Sequence, residues 1–242
     1  MNNDKERLLK EEKHSLYSLE LLTKVLRSPG GCPWDREQDH HSIRNDMIEE
    51  CYEVVEAIDT DNVTLLREEL GDVLFQVYFH AQIEAEKGHF TIDDVVQDIC
   101  DKMIYRHPHV FSDVQADTSE KVLENWETLK QAEKQRKDTK SSMAAVPPML
   151  PALMRASKVA GKALKDDYSF GTDAEIRQQM TDCLLAIGTE REEENLAKLS
   201  FLSAILSKKH GGDLEAALQK ETDEFINQYN STKIMEEKNE QD

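Results

Sequence analysis

The chain has 242 residues, 38% hydrophobic and 33% charged, with a formal net charge of −19. This leaves room for one large domain or two small ones, and it argues against a nucleic-acid surface, which needs a basic stripe. No apolar run approaches the length of a bilayer span, and Met1-Asn2-Asn3-Asp4 lacks the form of a secretory leader, so the expectation is a cytoplasmic protein with no membrane partner.

With nine glycines and six prolines among abundant Leu, Ala, Glu, Lys and Gln, the composition predicts an all-α fold. Glu6–Arg27 reads as a first amphipathic helix, with Leu9, Leu16, Leu19, Leu22 and Leu26 at helical spacing, ended by Ser28-Pro29-Gly30-Gly31. The following loop carries Trp34, as much a gap filler as a ligand contact. Ser42 is the expected N-cap of a helix over Ile43–Ile58, and Asp61 or Asn62 caps the next, Val63–Lys87. Thr91 opens Ile92–Arg106, which should turn Val95, Ile99, Met103 and Ile104 inward. His107-Pro108-His109 breaks that helix, and the two histidines read as parts of a turn. Ser119–Arg136 is a polar helix containing Trp126.

The composition then shifts to a linker, which divides the chain into residues 1–137, a connection 138–150, and residues 151–242. The second part should hold helices near Leu153–Lys165, Ala174–Ile187, Glu192–Lys209 and Asp213–Tyr229, with a charged tail from Met235. This order echoes the first part. A shift of 122 residues pairs Val96 with Leu218, Gln97 with Gln219, Asp101 with Asp223 and Ile104 with Ile226, as an internal duplication would. Glu190 and Glu193 form an acid pair there, but the preceding helix has none to face it.

One constellation in the first part carries chemistry. Glu50 and Glu53 stand three apart, as do Glu69 and Asp72. Glu53 lies eight residues before Asp61 and Glu69 eight after; Glu50 lies eleven before and Asp72 eleven after. An antiparallel hairpin folded at Thr60-Asp61-Asn62 therefore brings four carboxylates to one level. Glu69 and Asp72 adjoin the apolar residues Leu70, Val73, Leu74 and Phe75, where uncompensated charge is costly, so a hard cation such as Mg²⁺ should sit among the acids. Gly71 in mid-helix points to a close approach by a neighbouring helix or ligand, or else to a tolerated defect. Lys102 and Arg106, four apart, suit either a helix C-terminus or a phosphate clamp, and spacing alone favours the first. A di-iron bundle would need inward Glu-x-x-His pairs; Glu11-x-x-His14, Glu37-x-x-His40 and Glu86-x-x-His89 occur, the latter two at a loop and a helix end. Cys32, Cys51, Cys100 and Cys183 form no C-x-x-C and read as reduced thiols.

Gly-Cys-Pro-Trp-Asp at 31–35, Glu-Glu-Cys-Tyr-Glu at 49–53, Glu-Leu-Gly-Asp at 69–72 and Arg-His-Pro-His-Val-Phe at 106–111 resemble the MazG family of nucleoside triphosphate pyrophosphohydrolases. So do Trp126 in its Glu-Asn-Trp-Glu context and Leu-Pro-Ala-Leu-Met-Arg-Ala at 150–156. The resemblance implies tandem helical-bundle domains, the second divergent, and a homodimer. It implies Mg²⁺-dependent cleavage of NTPs or dNTPs between the α and β phosphates, with Mn²⁺ as a substitute ion. Carried across by motif, Glu50, Glu53, Glu69 and Asp72 are metal ligands. Lys102, Arg106 and Trp126 match nucleotide contacts, with Trp34 and Asp46 completing the pocket. Glu49 is a candidate base or a solvated acid. In the second part, Cys183 and Ala186 replace the first acid pair and Asn195 and Lys198 the second, so catalysis is expected in the first domain. The alternative is a non-catalytic dimeric nucleotide-binding or regulatory protein.

Overall fold

The computed structural model describes residues 2–112, 114, 116, 118–137, 143–188 and 191–239. Among these, helix is the only regular secondary structure. Two compact units divide at Lys134/Gln135, within the C-terminal part of a helix rather than in the linker expected from composition. Residues 138–142, Glu190 and the last three of the expected tail lie outside the described residues.

In the first unit, α1 spans Asn2–Lys10, α2 Leu16–Arg27, α3 Pro33–Glu37, α4 Arg44–Asp59, α5 Val63–Glu86, α6 Ile92–Arg106, α7 Pro108–Phe111 and α8 Ser119–Lys137. The single helix expected over Glu6–Arg27 is broken. Ser15 and Ser18 form a reciprocal capping box that starts α2 afresh, and the Ser18 hydroxyl donates to the Glu11 carboxylate at 2.5 Å. Helix-forming residues on both sides of the break hid it from periodicity. Leu9 and Leu16 are correspondingly exposed. Ser42 does not cap α4 either; Ile43 occupies that position without a side-chain bond. Asp39 competes for Ser42 locally, its carboxylate accepting from the backbone of His41 and Ser42 at 2.8 and 2.9 Å.

The α4–α5 hairpin is the centre of the unit. At its tip the Asn62 N–H donates to the Ala57 carbonyl and the Asp61 N–H to that of Ile58, with Asp61 in the left-handed region at φ 50°. This is a Schellman closure, and Asn62 at once caps α5 by accepting from the Leu65 N–H at 3.1 Å. The core gathers on α5. Ile43, Phe79 and Ile83 pack together with Phe75, and Tyr78, Ala81 and Ile92 pack with Leu19, Leu74, Val77 and Val95. The second cluster runs α6 back along α5. Farther along α6 the expected inward faces fail: Ile99 and Ile104 are exposed, while Val95 packs as anticipated. Gly71 has open space around it, since a Cβ there would meet nothing within 4 Å.

The second unit holds α9 (Ala152–Lys165), α10 (Asp173–Leu185), α11 (Glu192–Lys209) and α12 (Leu214–Asn239). The last continues well past the expected end at Tyr229. Its core joins Ala160, Ile176, Cys183, Leu202 and Ile205. Helix α9 packs on α11, α10 pairs with α11, and α12 follows, the same order as α2, α4, α5 and α6.

Candidate metal centre

The level predicted by the pivot at Asp61 is realised by three of its four acids. Carboxylate oxygens of Glu50, Glu69 and Asp72 lie within 4.8 Å of one another, the only such group of potential ligands among the described residues. Glu53 stands outside that convergent set yet within hydrogen-bond reach of both Glu50 and Glu69. Their environments differ. Glu69 is buried at 8% exposure, Glu50 and Glu53 are half-buried, and Asp72 is exposed rather than embedded as expected.

Crowding shows in the proton affinities. Burial, then the charges of Asp72 and Glu53, pushes the Glu50 carboxyl up from 4.5 to about 7. Burial and Glu53 likewise raise Glu69. The strongest influences on both are loss of water and other acids, the condition a bound cation relieves. An all-carboxylate donor set suits a hard, oxygen-seeking ion, so these residues fit a divalent metal of that kind.

The remaining expected site residues are spread around the unit. Asp46 is half-buried in the first turn of α4, where a negative charge is favoured. Glu49 is exposed. Lys102 is half-buried on α6. Arg106 and Trp126 come together, with the guanidinium carbon 5.8 Å from the indole centroid. His107 meets the same ring edge-on at 5.1 Å and bonds the Met103 carbonyl through Nδ1 at 2.6 Å, which confirms its place in the turn. Trp34 is exposed on α3, and its carbonyl accepts from Gln38. In the second unit, Cys183 is sealed in apolar core and Lys198 is exposed, so nothing resembling the acid cluster forms there among the described residues. The Glu-x-x-His pairs do not converge either. Glu86 binds Arg27, and His89 binds Glu84.

Two features escaped the sequence reading. His40, in the loop before α4, places Nε2 2.6 Å from Glu84 and Nδ1 2.8 Å from Nδ1 of His80, with the imidazoles stacked 5.0 Å apart. Lys87 and His89 also bind Glu84, each at 2.6 Å. Bonds from Lys87, His40 and His89 hold the Glu84 carboxyl down to about 2. Burial and the neighbouring His40 hold the His80 imidazole below the ordinary histidine range. The second feature is Arg27, its side chain 6% exposed. It donates to both Glu86 oxygens at 2.9 Å and to the carbonyls of Asp35 and Gln38 at 2.5 and 3.0 Å. Together these bonds tie the α3 segment and the entry to α4 onto α5. The spacing of Asp72, Gln76, His80 and Glu84, four apart on α5, was the signal for the first; Arg27 left none.

An all-α chain whose central hairpin brings carboxylates to one level has the make-up of a helical metal-site protein, and comparison with known sequences narrows the class. The MazG nucleotide pyrophosphohydrolase domain matches residues 38–111, which include every acid of the cluster together with Lys102 and Arg106. The nucleoside triphosphate pyrophosphohydrolase/pyrophosphatase MazG of Thermotoga maritima is 38% identical over 221 residues, 90% of this chain and 85% of that one. The nucleoside triphosphate pyrophosphohydrolase of Escherichia coli K12 is 39% identical over 210 residues, covering 83% and 80%. The uncharacterized protein YabN of Bacillus subtilis is 49% identical over 154 residues; the match takes in 62% of this chain but 31% of YabN. The chain belongs to the MazG nucleotide pyrophosphohydrolase family.

Proposed function

We propose that the first unit hydrolyses nucleoside triphosphates, ribo or deoxy, between the α and β phosphates, releasing a nucleoside monophosphate and pyrophosphate. The observation that carries this reading is the convergence of Glu50, Glu69 and Asp72 inside the segment that matches the family domain. Glu50, Glu53, Glu69 and Asp72 would hold Mg²⁺, or Mn²⁺ in its place. When bound, the ion supplies charge neutralisation for the polyphosphate and a water of lowered pKa.

The chain's own residues divide the remaining work. Glu53, in reach of both Glu50 and Glu69, orients the pair. Lys102 and Arg106 attract the phosphate oxygens and stabilise the charge that grows on them. Trp126, already stacked under Arg106, and Trp34 offer aromatic surface to the base. Glu49, exposed beside the ligands, is the candidate to take the proton of the attacking water. The second unit is a divergent copy that serves structure, dimerisation or regulation, supported by the parallel helix order and by Cys183 in its core. The assembly is a cytoplasmic homodimer with no nucleic-acid partner; no helix of the described residues is long and apolar enough to cross a membrane.

Product identification tests the reading. Wild type with Mg²⁺ and a panel of NTPs should give pyrophosphate and monophosphate, and Glu50→Gln neither. Orthophosphate as the first product would overturn it.

A further inference from the structure

Gln76 lies on the face of α5 that carries Glu69 and Asp72, one turn beyond Asp72 and about 6 Å along the axis. It is 9% exposed, and its Oε1 is shielded from solvent and accepts no hydrogen bond among the described residues. A shielded acceptor without a donor destabilises the fold, and an apolar side chain at this point of a core helix would not.

The register of the hairpin identifies what lies across from it. Ile43 packs with Phe79, and Glu50 meets Glu69 and Asp72. Antiparallel pairing between those two contacts sets Asp46 opposite Gln76. Asp46 is half-buried. Beyond the acids in the other direction the seam is closed by Ala57, which is buried near the tip. A ligand reaching along the seam from the acid cluster therefore runs toward Asp46 and Gln76.

Both oxygens there are acceptors: an ionised carboxylate only accepts, and so does an amide oxygen. Phosphate oxygens at neutral pH offer them nothing. A hydroxyl does. In a nucleotide whose phosphates lie at the acids, the next group along is the sugar. We infer that Gln76, facing Asp46, accepts a hydrogen bond from a sugar hydroxyl of the nucleotide and so reads the sugar. This rests on the nucleoside triphosphate reading of the acid cluster.

The test is a comparison of Gln76→Met, close in size but without the acceptor, with wild type. Substrates are one NTP and its 2′-deoxy and 3′-deoxy forms, each with Mg²⁺. Removing the hydroxyl that is read should lower wild-type kcat/KM about tenfold or more. The same removal should leave Gln76→Met unaffected, and the two proteins should converge on that analogue. Calorimetric binding of the matching non-hydrolysable α,β-methylene analogues should show the same pattern. The metal-free variant should unfold no more readily than wild type, which a purely structural glutamine would not permit. An equal loss on all three sugars, or none on any, overturns the assignment of Gln76. Absence of hydrolysis by wild type with every nucleotide, alongside sugar-dependent binding, would instead overturn the hydrolase reading and leave Gln76 standing.

Discussion

Glu50→Gln should make the metal-free protein more stable while abolishing its metal-dependent turnover. The carboxyl is raised from 4.5 to about 7, which corresponds to about 3 kcal/mol against the ionised form. Solvent at this half-buried group screens that to about 1–2 kcal/mol. Below pH 4.5 the group is protonated in folded and unfolded chains alike, and nothing is lost. Between 4.5 and about 7 the unfolded chain releases a proton that the folded protein retains, so stability falls as pH rises. Above about 7 the penalty is complete. Glutamine escapes it, so the advantage of the variant should be small at pH 5 and full at pH 8. Both tryptophans, Trp34 and Trp126, belong to the first unit, so urea unfolding in EDTA followed by tryptophan fluorescence isolates that unit. Magnesium at a hundred times its dissociation constant should reverse the order by adding about 2.7 kcal/mol to wild type alone. A variant less stable than wild type at pH 8, or an equal difference at pH 5 and pH 8, would refute the electrostatic account of the cluster.

Three further outcomes follow from the same geometry. Gly71→Ala should stabilise α5 by about 0.5–1 kcal/mol with turnover retained, because a Cβ meets nothing there; collapse of turnover in a steady-state assay would mean that a ligand or second copy approaches the backbone. Arg27→Ala should cost about 2–4 kcal/mol in urea unfolding, since it strips partners from Glu86 and two carbonyls and leaves a gap over Phe79. Glu84→Gln should lower the melting temperature at pH 7. The folded carboxyl lies near 2, so its contribution is present above 4.5 and fades as pH falls from there toward 2, and the variant and wild type should converge along that interval.

The acid cluster was legible because a hairpin converts sequence symmetry into spatial level, and symmetry about Asp61 needs no knowledge of the rest of the fold. Burial was less legible. Asp72 shares a helix with dense apolar residues, yet it faces solvent because the helix turns its core side elsewhere. Ile99 and Ile104 have the right spacing for an inward face, but it is Ile92 and Val95, in the first turns of α6, that join the α5 cluster, and the two later isoleucines are exposed. The break at Glu11–His14 went unread because every residue around it tolerates helix, and only the Ser15–Ser18 box marks it. The polar stripe from Asp72 through Gln76 and His80 to Glu84 has four-residue spacing, visible in the sequence; what it binds across the hairpin depends on where the loop carrying His40 lies.

The closure at Asn62 leaves no slack, since one residue completes α4 and opens α5. The acid cluster is thus a vernier, two scales engraved with carboxylates and read at a fixed zero. One inserted residue at the tip would turn the second scale by about 100° and slide it about 1.5 Å, erasing the coincidence without touching an acid. Mutations that delete the site and length changes that misalign it are equivalent in effect. In the second unit the corresponding helices end at Leu185 and resume at Glu192, a different zero.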